Sequence, residues 1–497
     1  MRYGSIGLRA GAVAIAASAC TCHAEGDSQL WLQDYAELKR AMSVSYANLE
    51  FVFESARVDL PDLDRQTSER LGSTSSRGRA RKEIESFVAA FDDPHLRVER
   101  RSGPPGGKTG NGSSWQLDPT LGTAAALTAL GYDGRDLGFD LTVERLSGYE
   151  PLDIAPENPF LAGVLTVDDR RFGFVRIAHF GEDGYPRVAS ELWEGFRSEI
   201  GGSCDIGCRW EFGRVVSERL LADLAARARQ LDDRGIDALV VDVTGNGGGT
   251  DWAGTAPYVL TRVPLDCNAS AFVRHEHWSR QLEWAGQRIR SDLDMEDLSS
   301  PLREVLERAL RRNEELLTDS RNPCDWSEVW AQPDFSPVCS PLVQAGTCAN
   351  LDGVSTTELR DLGSAALLDR TLRFRFERGA YGGPLIVVTD GRSASATEQF
   401  ASLLQANGAA TVVGSRTTGA GCGYTGRGIS VYLENTKLLV RMPDCVRYDG
   451  QGTNELAGIR PDIEIDWSRG SGSASTRKLV EALRRVDLDA SSLPRVR

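Results

Sequence analysis

Ser393 and Ser395 stand in GRSASATEQF, residues 391–400, directly after the apolar run Pro384-Leu385-Ile386-Val387-Val388. A hydroxyl held where a buried strand enters a helix can attack an electrophile. The helix dipole and the next N–H, from Ala396, favour the negative charge that then develops. Serines are equally good helix caps, and the G-x-S-x-G pattern of nucleophile elbows is absent. These residues alone leave both readings open. A second stretch, VVDVTGNGGG at 240–249, runs a buried strand into glycines whose N–H groups can face a cavity and bind phosphate or an oxyanion. Phosphate binding calls for a Gly-Lys-Ser/Thr ending or a G-x-G-x-x-G helix start. Thr250-Asp251 follows instead, and an acid beside phosphate is unfavourable. A plain tight turn is the remaining alternative.

An attacking serine needs a proton acceptor. Histidine has the right pKa for the task, and a carboxylate can orient its ring. The candidates are His95, His179, His275 and His277. His179 ends the run FVRIAH, and His95 lies in DDPHL, where a helix-end cap or a satisfied core residue is the plainer reading. Lysine is scarce: Lys39, Lys82, Lys108, Lys437 and Lys478. Lys437 lies nearest to Ser395 in sequence, on an alternating stretch that predicts a solvated strand face.

The elements that must carry these residues are legible as periodicity. Leu30, Leu32, Tyr35, Leu38, Met42, Tyr46 and Leu49 recur at helical spacing, and Ile84, Phe87, Val88 and Phe91 mark a second helix ending at DDPHL. The segment 101–115 is rich in Gly, Ser and Pro and predicts a loop. From 161 onward, FLAGVLTV, RFGFVRIAHF, DALVVDVTGN, PLIVVTDG and ATVVGSRT are short apolar runs separated by helical stretches at 214–233 and 396–407. That alternation predicts an α/β layer on a largely parallel sheet. The stretch 429–442 alternates as an antiparallel hairpin. Residues 265–375 break the scheme with charged helix and four cysteines and are expected to form an inserted cap.

VVDVTGNGGG, LIVVTDGRSASATEQFASLLQANGAATVVGSRTTGAG and GIRPDIEID together resemble the S41 peptidases, which include the C-terminal processing proteases and the tricorn protease core. The resemblance spans roughly residues 165–260 and 380–467 and reaches back weakly to DDPHL. It implies a ClpP/crotonase-like α/β protease core behind an N-terminal helical segment. It further implies Ser395 as nucleophile and an oxyanion hole from Gly248 and Ala396. The processing proteases place a lysine base in a Gly-Lys-Gly motif; here that motif reads Gly419-Ala420-Gly421, and alanine cannot accept the proton. The tricorn-like branch uses histidine and glutamate, which map onto His95 in DDPHL and Glu455 in NELAGIRPDIEI. A catalytic set Ser395, His95 and Glu455 follows, with activity rising as the imidazole loses its proton near its usual pKa of about 6.5, raised by the nearby carboxylate. The implied activity is a serine endopeptidase working through an acyl-enzyme on a protein or peptide substrate, with neither cofactor nor metal. A PDZ domain, common in processing proteases, has no counterpart in 116–160. The competing functions are a non-catalytic ligand- or peptide-binding protein on the same scaffold and a hydrolase of non-peptide esters.

The expected organisation is a signal peptide at 1–24, a helical domain at 25–100, a loop-rich linker at 101–160, and the first half of the core at 161–264. The cap at 265–375, the second half of the core at 376–470, and a C-terminal helix and tail at 471–497 follow. Arg2, Arg9 and the short apolar core AGAVAIAASA read as an export signal. A degenerate lipoprotein box at ASAC, lipidating Cys20, is the alternative, so the expected location is periplasmic or extracellular. With 497 residues, 41% hydrophobic and 26% charged, the chain is long enough for two or three folded units. A net charge of −14 argues against nucleic acid as partner, and no later segment is apolar enough to span a membrane. Eight cysteines follow the signal, an even number that predicts disulfides in an oxidising compartment. Cys422 and Cys445 flank the hairpin and are expected to pair. Cys204-x-x-x-Cys208 and His275/His277 are the sole hints of a zinc site.

Overall fold

The computed structural model describes residues 21–100, 115–152, 158–201, 204–346, 351, 354–426, 428–467 and 473–488. Most of the export signal, Cys20, and nearly all of the 101–115 loop lie outside them. The frame is a seven-stranded sheet in the order Ile463–Glu464, Thr411–Gly414, Leu385–Thr389, Ala238–Asp242, Arg170–Arg176, Ala162–Val167, Tyr149–Pro151. The first five strands run parallel, and the last two join antiparallel. The two central strands are buried along their whole length, which is why LVV and LIVV read as unbroken apolar runs rather than alternating ones.

Both sheet faces are covered. Leu239, Val241, Leu385 and Val387 point to the side of the helices Ile206–Asp232, Trp252–Leu260 and Ala396–Ala406. Ala238, Val240, Ile386 and Val388 point the other way, onto Leu479, Ala482 and Leu483 of the helix Ser473–Arg485. The period of two along each strand sorts the side chains between the two layers.

The N-terminal helices Thr21–Ser45, Leu49–Glu54, Leu60–Gly72 and Arg77–Ala89 form a separate core. They pack on the hairpin Ile429–Leu433 and Leu438–Met442, to which the strand Arg97–Arg100 adds a third member by antiparallel pairing. That strand is short and charged, and nothing in its sequence announced it. The 265–375 region carries the helices Glu276–Leu293 and Ser300–Ser320. It also contributes two strands to a small sheet in the order Cys445–Arg447, Ser270–Val273, Leu342–Gly346. The insertion therefore shares a sheet with the chain just after the hairpin. Disulfides join Cys204 to Cys208, Cys324 to Cys339, and Cys422 to Cys445, the last with Cα atoms 5.5 Å apart. The Cys204/Cys208 pair is thus a covalent staple and not half of a zinc site.

Candidate functional site

Ser395 is the residue at which the chain turns from the loop after strand Leu385–Thr389 into the helix Ala396–Ala406. Its backbone lies at φ 57°, ψ −112°, a conformation that costs a residue with a Cβ about 1–3 kcal/mol. The surroundings over-determine it. Its N–H donates to Glu398 Oε2 at 2.8 Å, its carbonyl accepts from Arg447 Nη2 at 2.8 Å, and the Ala394 N–H donates to the Asn246 carbonyl at 3.0 Å. This is the strained strand-to-helix elbow that presents a hydroxyl, reached without the usual glycine pattern. Ser393 is buried and committed elsewhere: its Oγ donates to the Val243 carbonyl at 2.9 Å and accepts from the Asp390 N–H at 3.1 Å. It is part of the loop's internal bracing.

His95 is brought in from 300 residues away, in the turn between helix Arg77–Ala89 and strand Arg97–Arg100. Pairing of that strand with Leu438–Met442 sets the turn's position. Asp93 shapes it: Oδ1 accepts the His95 N–H at 2.8 Å, and Oδ2 accepts Tyr46 Oη–H and Asn48 Nδ2–H, each at 2.9 Å. The imidazole Nε2 lies 3.3 Å from Ser395 Oγ, and Nδ1 lies 2.8 Å from the Ala420 carbonyl oxygen. A carbonyl can only accept, so Nδ1 carries the proton and the Nε2 lone pair faces the serine. The Tyr424 ring meets the imidazole edge-on with centroids 5.5 Å apart, and its Oη–H donates to the His95 carbonyl. Burial lowers the His95 pKa below the usual imidazole value. The charge of Asp93 and the bond to Ala420 pull it up, while Arg447 and Arg97 push it further down. The net direction is opposite to the one expected from a carboxylate neighbour alone, because desolvation, helped by the two arginines, outweighs Asp93 and the bond to Ala420.

Glu455 sits in the turn Glu455–Ala457, fully buried. Its Oε2 accepts from Arg447 Nε at 2.7 Å and the carboxylate also meets Ser402, so it faces the guanidinium and not the imidazole, whose Nδ1 is held by Ala420. Burial raises the Glu455 pKa, with Arg447 opposing. Glu398, also fully buried, accepts from Ser395 N and from the 417–421 loop: Thr417 Oγ1 at 2.6 Å, Gly419 N at 2.7 Å, Ala420 N at 2.9 Å and Gly421 N at 3.0 Å. One carboxylate thereby fixes both the elbow and the loop whose carbonyl holds His95 Nδ1.

Gly248 lies against the elbow at φ +99°. A Cβ there would come within 2.8 Å of the Ala394 carbonyl oxygen, 2.9 Å of the Ala396 N and 3.0 Å of Ser395 Cβ. Glycine thus keeps space open in front of the Ala396 N–H. The Gly248 N–H itself donates to Asn246 Oδ1 at 2.9 Å. His179 faces Asp183, with Nε2 3.5 Å from Oδ1. His277 lies on Asp444 and the Thr425 carbonyl. Among the described residues no group of His, Cys, Asp and Glu is arranged to hold a metal ion.

Sequence reasoning passed over Glu398, Asp93 and Arg447. Glu398 was visible within SASATEQF as a helix N3 acid. Asp93 was visible as the turn-former in DDPHL. Arg447, one of many arginines, carried no signal at all.

Residues 310–465 match the model of Peptidase family S41. No curated protein matches the chain. Among solved structures, mature CPAF is 13% identical, with 94% of this chain and 98% of that chain covered at a TM-score of 0.51. CPAF complexed with lactacystin is 14% identical, with the same coverage and a TM-score of 0.49. The photosystem II D1 C-terminal processing protease is 14% identical over 88% of this chain and 93% of that chain, with a TM-score of 0.31. At such identity the likeness to CPAF is one of fold.

Proposed function

We propose that this chain, which belongs to peptidase family S41 and is a serine-type peptidase, is an exported endopeptidase with Ser395 as nucleophile and His95 as general base. The observation that carries the reading is the 3.3 Å approach of His95 Nε2 to the Oγ of a serine held in a strained elbow at a helix N-terminus. His95 Nε2 takes the hydroxyl proton as Oγ attacks the peptide carbonyl. The tetrahedral oxyanion develops in front of the Ala396 N–H, where it also meets the positive end of the helix dipole. Gly248 serves by leaving that space empty. Protonated His95 returns its proton to the leaving amine, and water repeats the cycle on the acyl-Ser395 ester. Burial that keeps His95 neutral suits a base, since the imidazole must arrive unprotonated. Glu455 supports the pair from behind. Three disulfides among the described residues support export. No described helix is long and apolar enough to cross a membrane.

The test is labelling with a fluorophosphonate probe together with hydrolysis of casein and of a p-nitrophenyl ester. Casein cleavage and labelling, both lost in Ser395→Ala and both strongly reduced in His95→Ala, are expected. Labelling without casein cleavage would shift the reading to a non-peptide ester hydrolase. No labelling would leave a binding protein on the same scaffold.

A further inference from the structure

We propose that Arg447 is the positioning residue through which Glu455 acts, one guanidinium that ties the nucleophile elbow to the loop holding the base; this rests on the assignment of Ser395 and His95 above. Its Nε donates to Glu455 Oε2 at 2.7 Å, and its Nη2 donates both to the Ser395 carbonyl and to the Gly421 carbonyl at 2.8 Å. The first carbonyl belongs to the nucleophile itself. The second is next to Ala420, whose carbonyl holds His95 Nδ1. The Oγ–Nε2 separation is therefore spanned by two backbone segments that share one cation.

Arg447 is itself well anchored. It ends the strand Cys445–Arg447, paired with Ser270 of the insertion, and the disulfide from Cys445 runs to Cys422, the neighbour of Gly421. Its side chain is 15% exposed and that of Glu455 is not exposed at all. A buried guanidinium between two carbonyls needs a counter-charge, and Glu455 supplies it. The planar fork matters: a lysine is a single point donor and cannot reach all three acceptors in fixed geometry. Arg447 also contributes to the field at the base. The charged and titratable groups around His95 are Asp93 on its own turn, Arg97 on the following strand, Tyr424 on the 422–425 loop, and Arg447. Removing one cation from that set makes the imidazolium easier to form.

The experiment uses the full chain, a quenched fluorescent casein substrate, kcat and KM across pH, and thermal unfolding. The variants are Arg447→Met, Arg447→Lys, Glu455→Gln and the double Arg447→Met/Glu455→Gln. We expect Arg447→Met to lose about 100-fold in kcat, as misplaced catalytic groups do, with KM within about threefold and the acid limb moved to higher pH. Arg447→Lys should recover part of kcat. Adding Glu455→Gln to Arg447→Met should raise Tm, because it removes an unpaired buried carboxylate, yet change kcat by less than about twofold, the non-additivity of groups that act as one unit. Arg447→Met within about threefold of wild-type kcat overturns the proposal. So does an unmoved acid limb, or a Glu455→Gln loss that is the same in both backgrounds. Should Arg447→Met fail to fold, the double variant carries the test: it must stay far below wild type with the shifted limb, and near-wild-type kcat overturns the idea. Wild-type chain that is not labelled at Ser395 removes the reading of the centre and this inference with it. Wild-type chain labelled at Ser395, with Arg447→Met labelled equally fast, removes the role of Arg447 alone.

Discussion

Gly423→Ala perturbs the geometry of the proposed base, His95, without removing any catalytic atom. A Cβ at Gly423 would lie 3.1 Å from His95 Nε2, 3.2 Å from Cδ2 and 3.3 Å from Cε1. Ordinary carbon contacts begin near about 3.5 Å, so the ring must give by a few tenths of an ångström. It has little freedom to do so, being held at Nδ1 by Ala420 and packed edge-on against Tyr424. The Oγ–Nε2 distance is already 3.3 Å, just beyond the roughly 2.6–3.2 Å that proton transfer uses. A further shift of that size, or a methyl group crowding Nε2 itself, should cost about tenfold in kcat/KM, about 1.4 kcal/mol. Stability should change by less than about 1 kcal/mol, since alanine restricts the unfolded chain and offsets part of the contact. Gly195→Ala is the control. It lies in the helix Pro186–Glu199 with nothing within 4 Å of the added methyl, and should gain up to about 1 kcal/mol with unchanged activity. The assay is kcat/KM on quenched casein alongside Tm and the rate of fluorophosphonate labelling. If Gly423→Ala cleaves and labels within twofold of wild type, the tight approach to His95 has no bearing on the chemistry.

Three further outcomes are expected. Ser393→Ala should keep measurable turnover but lose about 1–3 kcal/mol of stability, because the Asp390 N–H loses its buried acceptor, whereas Ser395→Ala should lose turnover with stability kept; chemical denaturation and casein assays separate the two. The acid limb of kcat/KM should lie below the usual imidazole pKa of about 6.5, because burial lowers the His95 value and the base works when neutral; a pH–rate profile with its acid limb above that value would refute the assignment. By the same sign, any stability His95 contributes is intact above about pH 6.5 and is lost as pH falls through its lower folded value. Replacing Cys422 and Cys445 by alanine should cost about 3 kcal/mol, from the 23-residue separation the bond closes, and should depress kcat more than KM because the bond ties together the segments that carry Gly421 and Arg447; calorimetry with steady-state kinetics tests both.

The local chemistry of this protein was written in its sequence. Apolar runs fully buried in a parallel sheet read as unbroken Val, Leu and Ile, so Ala238–Asp242 and Leu385–Thr389 were visible at once. GRSASATEQF showed a serine at a strand-to-helix junction because that junction is a contiguous stretch of chain. The alternating 429–442 stretch showed its hairpin for the same reason, and with it the nearness of Cys422 and Cys445. What no local pattern could show was the meeting of distant segments. The distance from His95 to Ser395 depends on a short charged strand, Arg97–Arg100, finding its place beside Leu438–Met442. Its sequence has no strand signature because its stability comes from the partner edge. The atom that holds His95 Nδ1 is a backbone carbonyl, which every residue possesses and no residue type announces. Burial decided the direction of the His95 pKa, since desolvation is set by everything packed around the ring and not by its one acidic neighbour. Arg447 acquires its place from three acceptors, the Ser395 and Gly421 carbonyls and Glu455, that come together when the elbow, the 417–421 loop and the 455 turn converge on one strand end.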